Sequence, residues 1–99
     1  MGGKMVTAFV LLSVERDKIE EIAQELSDMN GVSEVYSVSG SYDLIAIARV
    51  INNEKLADLV TGRMLKIKGI IRSETMLAFR TFSKHDLGSM FSVGFEDEV

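Results

Sequence analysis

The sequence predicts an α+β sandwich with the element order strand, helix, strand, strand, helix, strand. Three observations predict it. Two runs, Met5–Val14 and Tyr42–Ile51, are almost wholly apolar and rich in β-branched residues. Two other stretches carry apolar residues at helical three-and-four spacing, and a glycine closes each. The helix exits also echo one another 38 residues apart, Gly31-Val32 answering Gly69-Ile70, which marks a duplicated βαβ unit.

Taken in order, Met5 to Val14 (MVTAFVLLSV) reads as a first, buried strand. Arg16 to Asn30 places Ile19, Ile22, Ala23, Leu26 and Met29 on one side of a helix, with Glu20, Glu21, Gln24 and Glu25 on the other. Val32 to Ser39 alternates imperfectly, with Val32, Glu34, Tyr36 and Val38 on one side and Ser33, Val35 and Ser37 on the other, which suits an edge strand. Ser39-Gly40-Ser41 is the turn into the third strand, Tyr42 to Ile51, and Asn52-Asn53 can cap the second helix. That helix, Glu54 to Lys68, holds Leu56, Leu59, Val60, Met64 and Ile67 at helical spacing, with Lys66 and Lys68 near its negative end. Ile70 to Phe82 is the fourth strand. The economical assembly is a ferredoxin-like sandwich, a four-stranded antiparallel sheet in the order 4-1-3-2 with both helices on one face. The competing assignment, a long apolar run forming a helix in a bundle, is disfavoured by the β-branched content and the glycine punctuation. Residues 1–82 form this domain, and 83–99 form a C-terminal extension.

Composition narrows the function classes. The 99 residues are 46% hydrophobic and 26% charged, one ordinary domain, and a lone monomer of this size is thinly stabilised. With 15 acidic and 11 basic residues the net charge is -4 and the cations are scattered, which argues against direct nucleic-acid binding. The chain contains no cysteine and one histidine, His85, which removes the common zinc sites and Cys/His hydrolases. No apolar run approaches the roughly 20 residues of a membrane span, and the start resembles no signal peptide, so the expected compartment is the cytoplasm. There is no nucleophile–base pairing, paired-carboxylate arrangement, phosphate loop or dinucleotide fingerprint, so no cofactor and no enzyme activity is expected.

Two helices cover one sheet face, yet both central strands are apolar on both faces. Met5, Thr7, Phe9 and Leu11 oppose Val6, Ala8, Val10, Leu12 and Val14, and Leu44, Ala46, Ala48 and Val50 oppose Ile45, Ile47 and Ile51. At roughly 25 cal/mol per Å² of apolar surface, leaving such a face in water forfeits many kcal/mol. A homodimer packed sheet against sheet is expected.

Polar residues on apolar strands are the candidates for binding. Asp43, beside the Gly40 turn, can hold an ammonium group; the plainer reading is that Gly40 supplies a positive φ and Asp43 caps local amides. Ser73 and Thr75 share a face of the fourth strand with Ile71, Leu77 and Phe79, and either bind a small polar ligand or satisfy themselves locally. Arg72, Glu74 and Arg80 fall on the opposite face, as interface ion pairs or plain solvated charges. The six methionines read as core and interface filler.

The segment GVSEVYSVSGSYDLIAIARV, followed after the second helix by GIIRSETMLAFRTF, resembles the C-terminal effector-binding domain of the leucine-responsive regulatory protein/asparagine-response (Lrp/AsnC) family of transcription regulators. The resemblance runs from about Met5 to Phe82. It implies a ferredoxin-like domain that dimerises through its sheets, assembles further, commonly as an octamer-like ring of dimers, and binds amino-acid effectors between dimers. On matching positions, it implies that Gly40, Tyr42 and Asp43 meet the effector's main-chain atoms while Ser73 and Thr75 line the site from a neighbouring subunit. Family regulators begin with a helix-turn-helix domain, whereas here the first strand starts at Met5, so a stand-alone module acting through a full-length Lrp/AsnC-type partner is expected. Ser41 stands where many relatives carry aspartate, and Ser73 where threonine is frequent, so the resemblance does not identify the effector. Beyond it, Met90, Phe91, Val93 and Phe95 suggest an apolar strap, followed by the acidic Glu96-Asp97-Glu98.

Two other classes compete with a sensing module. One is a purely structural oligomerisation module. The other is a dimeric α+β barrel enzyme, for which only His85 is at hand as a titratable cavity residue. The ACT regulatory domain shares the element order but has a glycine-rich first loop that is missing here.

Overall fold

The structure, a computed structural model, describes residues 5–84. The expectations for His85, for the apolar strap at Met90–Phe95 and for the acidic end therefore lie outside the described residues. Six elements form the domain: β1 (Val6–Val14), α1 (Ile19–Ser27), β2 (Val32–Ser37), β3 (Leu44–Val50), α2 (Asn53–Gly62) and β4 (Ile70–Leu77). The sheet order is β2-β3-β1-β4, with every pairing antiparallel. This is the expected 4-1-3-2 order read from the other edge, and the fold is ferredoxin-like. Among the described residues no helix is long and apolar enough to cross a membrane.

The core follows from the register of the two central strands. Ala8 lies opposite Ala48, Val10 opposite Ala46 and Leu12 opposite Leu44, and all six are buried on the face the helices cover. The alanines let the helices approach closely, and Ile22 and Leu26 from α1, Leu59 and Val60 from α2, and Met64 fill the space above them. Both helices are shorter than their apolar periodicity. Arg16–Lys18 forms a separate 3-10 turn ahead of α1, and Met64–Lys66 forms another after α2 ends at Gly62. Lys66 and Lys68 therefore do not sit at the end of α2, contrary to expectation. Arg63 leaves the helical conformation (φ -129°, ψ -55°) immediately after Gly62, a poor helix former, while Met64 stays in the core from the 3-10 turn. At the other end of α2, Asn52 caps the helix as expected, accepting the Lys55 N–H at 2.8 Å.

Two bulges correct the face assignments. In β2, Val32 pairs with Ala48 and Glu34 with Ile47, so Ser33 is an extra residue and both Val32 and Val35 face the core. In β4, Arg72 pairs with Ser13 and Ile70 with Val14, which makes Ile71 the extra residue. Ile70 consequently packs on the core while Ile71 is 68% exposed, rather than sharing a stripe with Ser73 and Thr75. The internal repeat is thus structural: a glycine at positive φ (98° at Gly31, 104° at Gly69), one β-branched residue turned inward, then a bulge. Glycine is required at both places by conformation and by space. A Cβ at Gly69 would lie 2.9 Å from Ile22 Cδ1, and one at Gly31 3.0 Å from Leu59 Cδ2.

β4 ends at Leu77 instead of Phe82. Ala78 still donates its N–H to the Thr7 carbonyl at 2.9 Å, but β1 begins at Val6 and offers little more to pair with. Phe79 is accordingly 97% exposed. The face away from the helices carries Phe9, Leu11, Ile45, Ile47 and Met76 across three strands, and no element of the described chain covers it.

Two substitutions measure these claims by chemical denaturation at a fixed protein concentration. Leu12→Ala, which empties a fully buried position in the core, is expected to cost about 2–5 kcal/mol. Asn52→Ala, which removes one cap acceptor at the exposed start of α2, should cost only about 1 kcal/mol.

Candidate functional site

The hairpin between β2 and β3 is closed by its own backbone and then tied to β1. The Val38 N–H donates to the Asp43 carbonyl at 2.9 Å, and the Asp43 N–H donates to the Leu12 carbonyl at 2.8 Å. Beyond Leu44, β3 has no further carbonyl in register to meet the Val14 N–H. Asp43 supplies the acceptor from its side chain, Oδ2 standing 2.9 Å from that nitrogen. The carboxylate is half-buried, and its other oxygen has no hydrogen bond among the described residues. Gly40 has φ 122°, and nothing lies within 4 Å of the place a Cβ would take, so backbone conformation alone calls for glycine there.

Tyr42 is held from β4, across β1. The Arg72 guanidinium carbon sits 4.5 Å from the centre of the Tyr42 ring, and Arg72 Nη2 donates to the Ser41 carbonyl at 3.0 Å. Ser13 Oγ shares that carbonyl at 3.4 Å. The Tyr42 hydroxyl donates to Glu74 Oε1 at 3.0 Å. Accepting that bond, the Glu74 carboxylate raises the Tyr42 pKa; desolvation adds to the rise and the Arg72 charge opposes it. Tyr36 behaves likewise through its hydrogen bond to Glu34.

Of the five residues expected to form a site, Gly40, Tyr42 and Asp43 are together in this turn. Ser73 and Thr75 lie opposite Leu12 and Val10, so they face the helix side of the sheet, whereas Arg72 and Glu74 face the uncovered side. Within one chain no hydrogen bond joins Ser73 or Thr75 to the turn among the described residues. Thr75 is exposed although it lies on the helix side, because β4 is an edge strand with no helix packed over that end. The turn's actual neighbours, Arg72 and Glu74, read in the sequence only as interface or solvated charges. Nothing local marks them, since their partners lie about thirty residues away and meet them only once β1 is placed between β3 and β4. Among the described residues no three side chains of the metal-binding types converge.

Comparison with known proteins gives this arrangement a context. The family model for the Lrp/AsnC ligand binding domain matches residues 7–87. An uncharacterised HTH-type transcriptional regulator of Pyrococcus furiosus is 32% identical over 81 residues, which is 79% of this chain and 54% of the relative. The HTH-type transcriptional regulator FL11 of Pyrococcus horikoshii is 30% identical over 79 residues, 80% of this chain and 52% of the relative. The chain thus spans about half the length of the curated relatives it matches. Among solved structures, protein TTHA0845 of Thermus thermophilus superposes with a TM-score of 0.75 at 40% identity, covering 79% of this chain and 98% of that one. A transcriptional regulator of Neisseria meningitidis, solved as a complex with L-Met, shares the fold at a TM-score of 0.72 and 16% identity, over 79% of this chain and 52% of its own. By sequence and by fold, the chain belongs to the Lrp/AsnC family, through that family's ligand-binding domain.

Proposed function

We propose that this domain is a non-enzymatic, cytoplasmic amino-acid-sensing module that binds its effector at the Gly40–Asp43 turn, at a contact between dimers. In this reading Asp43 takes the effector's ammonium group, Gly40 and Tyr42 meet its remaining main-chain atoms, and Ser73 and Thr75 of a neighbouring subunit close the site. Dimers form through the uncovered face around Phe9, Ile45 and Ile47 and assemble further; the output on transcription passes through full-length Lrp/AsnC-type partners. The observation that carries the reading is Asp43 itself. One carboxylate oxygen is fixed by the Val14 amide while the other is unengaged, so a negative charge stands in a set position on a turn pinned at Ser41 by Arg72. The methionine complex of the Neisseria relative supports an amino acid as the ligand class. A ligand that binds only the assembled state would stabilise that assembly by mass action.

Asp43 has two roles to separate, and one substitution separates them. Asp43→Asn keeps an acceptor for the Val14 N–H but removes the charge, whereas Asp43→Ala leaves that amide unpaired and should cost about 1–3 kcal/mol of stability. Thermal-shift screening of the twenty amino acids is expected to find at least one that raises Tm in the parent chain and not in Asp43→Asn. If no amino acid shifts Tm or assembly, the chain is an oligomerisation module only. Sedimentation tests the interface, where Phe9→Lys should drive the dimer toward monomer by placing a charge among Leu11, Ile47 and Met76.

The Tyr42–Glu74 bond gives a third measurement. Because the folded-state pKa of Tyr42 is raised above its ordinary 10.0, the associated stability is fully present below pH 10.0 and is lost as pH rises through the folded value. The chain has two tyrosines, so in a Tyr36→Phe background the phenolate absorbance reports Tyr42 alone. Its midpoint should lie above 10.0 and fall when Glu74 becomes Gln; a midpoint indifferent to that change would show the bond is absent in solution.

A further inference from the structure

The Gly40–Asp43 turn and the uncovered sheet face share side chains. Arg72 and Glu74 stand on that face, opposite Ser13 and Leu11 of β1, and both reach over β1 to the turn. Met76, two residues beyond Glu74 and so about 7 Å along the strand, joins Phe9 and Leu11 in the apolar patch. The Tyr42 ring, with the Arg72 guanidinium 4.5 Å from its centre and its hydroxyl on Glu74 Oε1, therefore lies at the border of that patch. A sheet packed on the patch stands about 10 Å away, within reach of a long side chain rising from the first sheet. It meets Arg72 and Glu74 directly.

In a single chain Arg72 and Glu74 are exposed. Their contacts then compete with water, and holding two long side chains in one arrangement costs rotamer freedom, so Ser41 and Tyr42 are gripped weakly. A second copy on the patch changes both terms. It excludes water from the Tyr42–Glu74 and Arg72–Ser41 bonds, and it leaves the two side chains fewer alternatives, so less freedom is lost when they hold the turn.

We propose that Arg72 and Glu74 couple the turn to sheet-against-sheet association: a second copy on the uncovered face locks them onto Ser41 and Tyr42, so that the stretch from Gly40 to Tyr42 takes one shape in the dimer and several in the monomer. They are positioning residues, acting on a ligand only through the turn. This coupling rests on the dimer proposed above. Where an amino acid binds at the turn, the dimer binds it more tightly than the monomer does, and the ligand tightens the dimer by the same factor.

Amide order parameters from nitrogen-15 relaxation test the coupling on the whole chain without ligand. They are compared between the parent dimer and the monomer made by Phe9→Lys, with Met76→Lys as a second monomer from the neighbouring strand of the patch. Sedimentation establishes the state of each sample. From monomer to dimer the Gly40 and Ser41 amides are expected to rise by about 0.1–0.2 toward the rigid value of about 0.85. The Asp43 amide, which donates to the Leu12 carbonyl within the sheet, should be rigid in both states and gives the reference. Arg72→Gln and Glu74→Gln, made together, should abolish the rise while leaving the monomer's values nearly unchanged. A merely structural role would instead loosen the turn equally in both states. Equal order in monomer and dimer overturns the coupling, and so does a rise that survives the double substitution. A parent chain that sediments as a monomer at every concentration removes the dimer and the coupling together. An amino-acid screen without a hit sinks the effector reading alone, because the order parameters are measured without ligand.

Discussion

The pairing of β1 with β3 in a single register is the constraint on which the rest of the structure depends. Side chains alternate along a strand, so one register settles both faces at once. It sends Ala8, Val10 and Leu12 under the helices together with Ala48, Ala46 and Leu44, and it sends Phe9 and Leu11 outward together with Ile47 and Ile45. A slip of one residue would exchange the two sets and place the larger side chains where only alanines leave room for the helices. The register is fixed at the turn, where the Asp43 N–H and carboxylate hold β1 at Leu12 and Val14.

Much of this was legible in the sequence because it depends on repeating patterns. The two-sided apolar character of Met5–Val14 and Tyr42–Ile51, the helical spacing around Ile22 and Leu59, and the paired glycines led to the element order and to the sheet order. The bulges were not legible. An extra residue leaves no mark of its own, and Ser33 and Ile71 are ordinary strand residues whose displacement shows only against the partner strand. The imperfect alternation of Val32–Ser39 suits an edge strand, which β2 is, and within it lies the bulge. Helix length failed for a related reason. Apolar periodicity continues through Met64 and Ile67, but a 3-10 turn can bury Met64 as well as an α-helix can once Gly62 and Arg63 have broken the hydrogen-bond ladder.

The surroundings of the turn were half legible. Gly40 and Asp43 follow from local chemistry, since a positive φ and a carboxylate beside a hairpin are visible in four residues. Arg72 and Glu74 follow from topology alone. They reach Ser41 and Tyr42 because Ser13 of the intervening β1 is small enough to let a long guanidinium pass over it and itself bonds the same carbonyl. Charged residues two apart on a strand next to a tyrosine-bearing turn are a recognisable pattern once strand order is known. They carry no message before that.

The turn is therefore gripped from both sides of the sheet's central strand. From the uncovered face come Arg72 and Glu74, which lie on the same surface as Phe9 and Met76; within the sheet, Asp43 grips the backbone of β1. These grips differ in physical character. The Asp43 bonds are short, half-buried and part of the ladder, so breaking them means opening the end of the sheet. The Arg72 and Glu74 contacts are exposed and worth little individually, so they can be exchanged for other partners at small cost. A group that replaced Glu74 as the acceptor for Tyr42, or drew Arg72 from Ser41, would change the shape of the turn without disturbing the strand register beneath it. Asp43 keeps its place through any such exchange because its position depends on the β1 backbone and not on the surface.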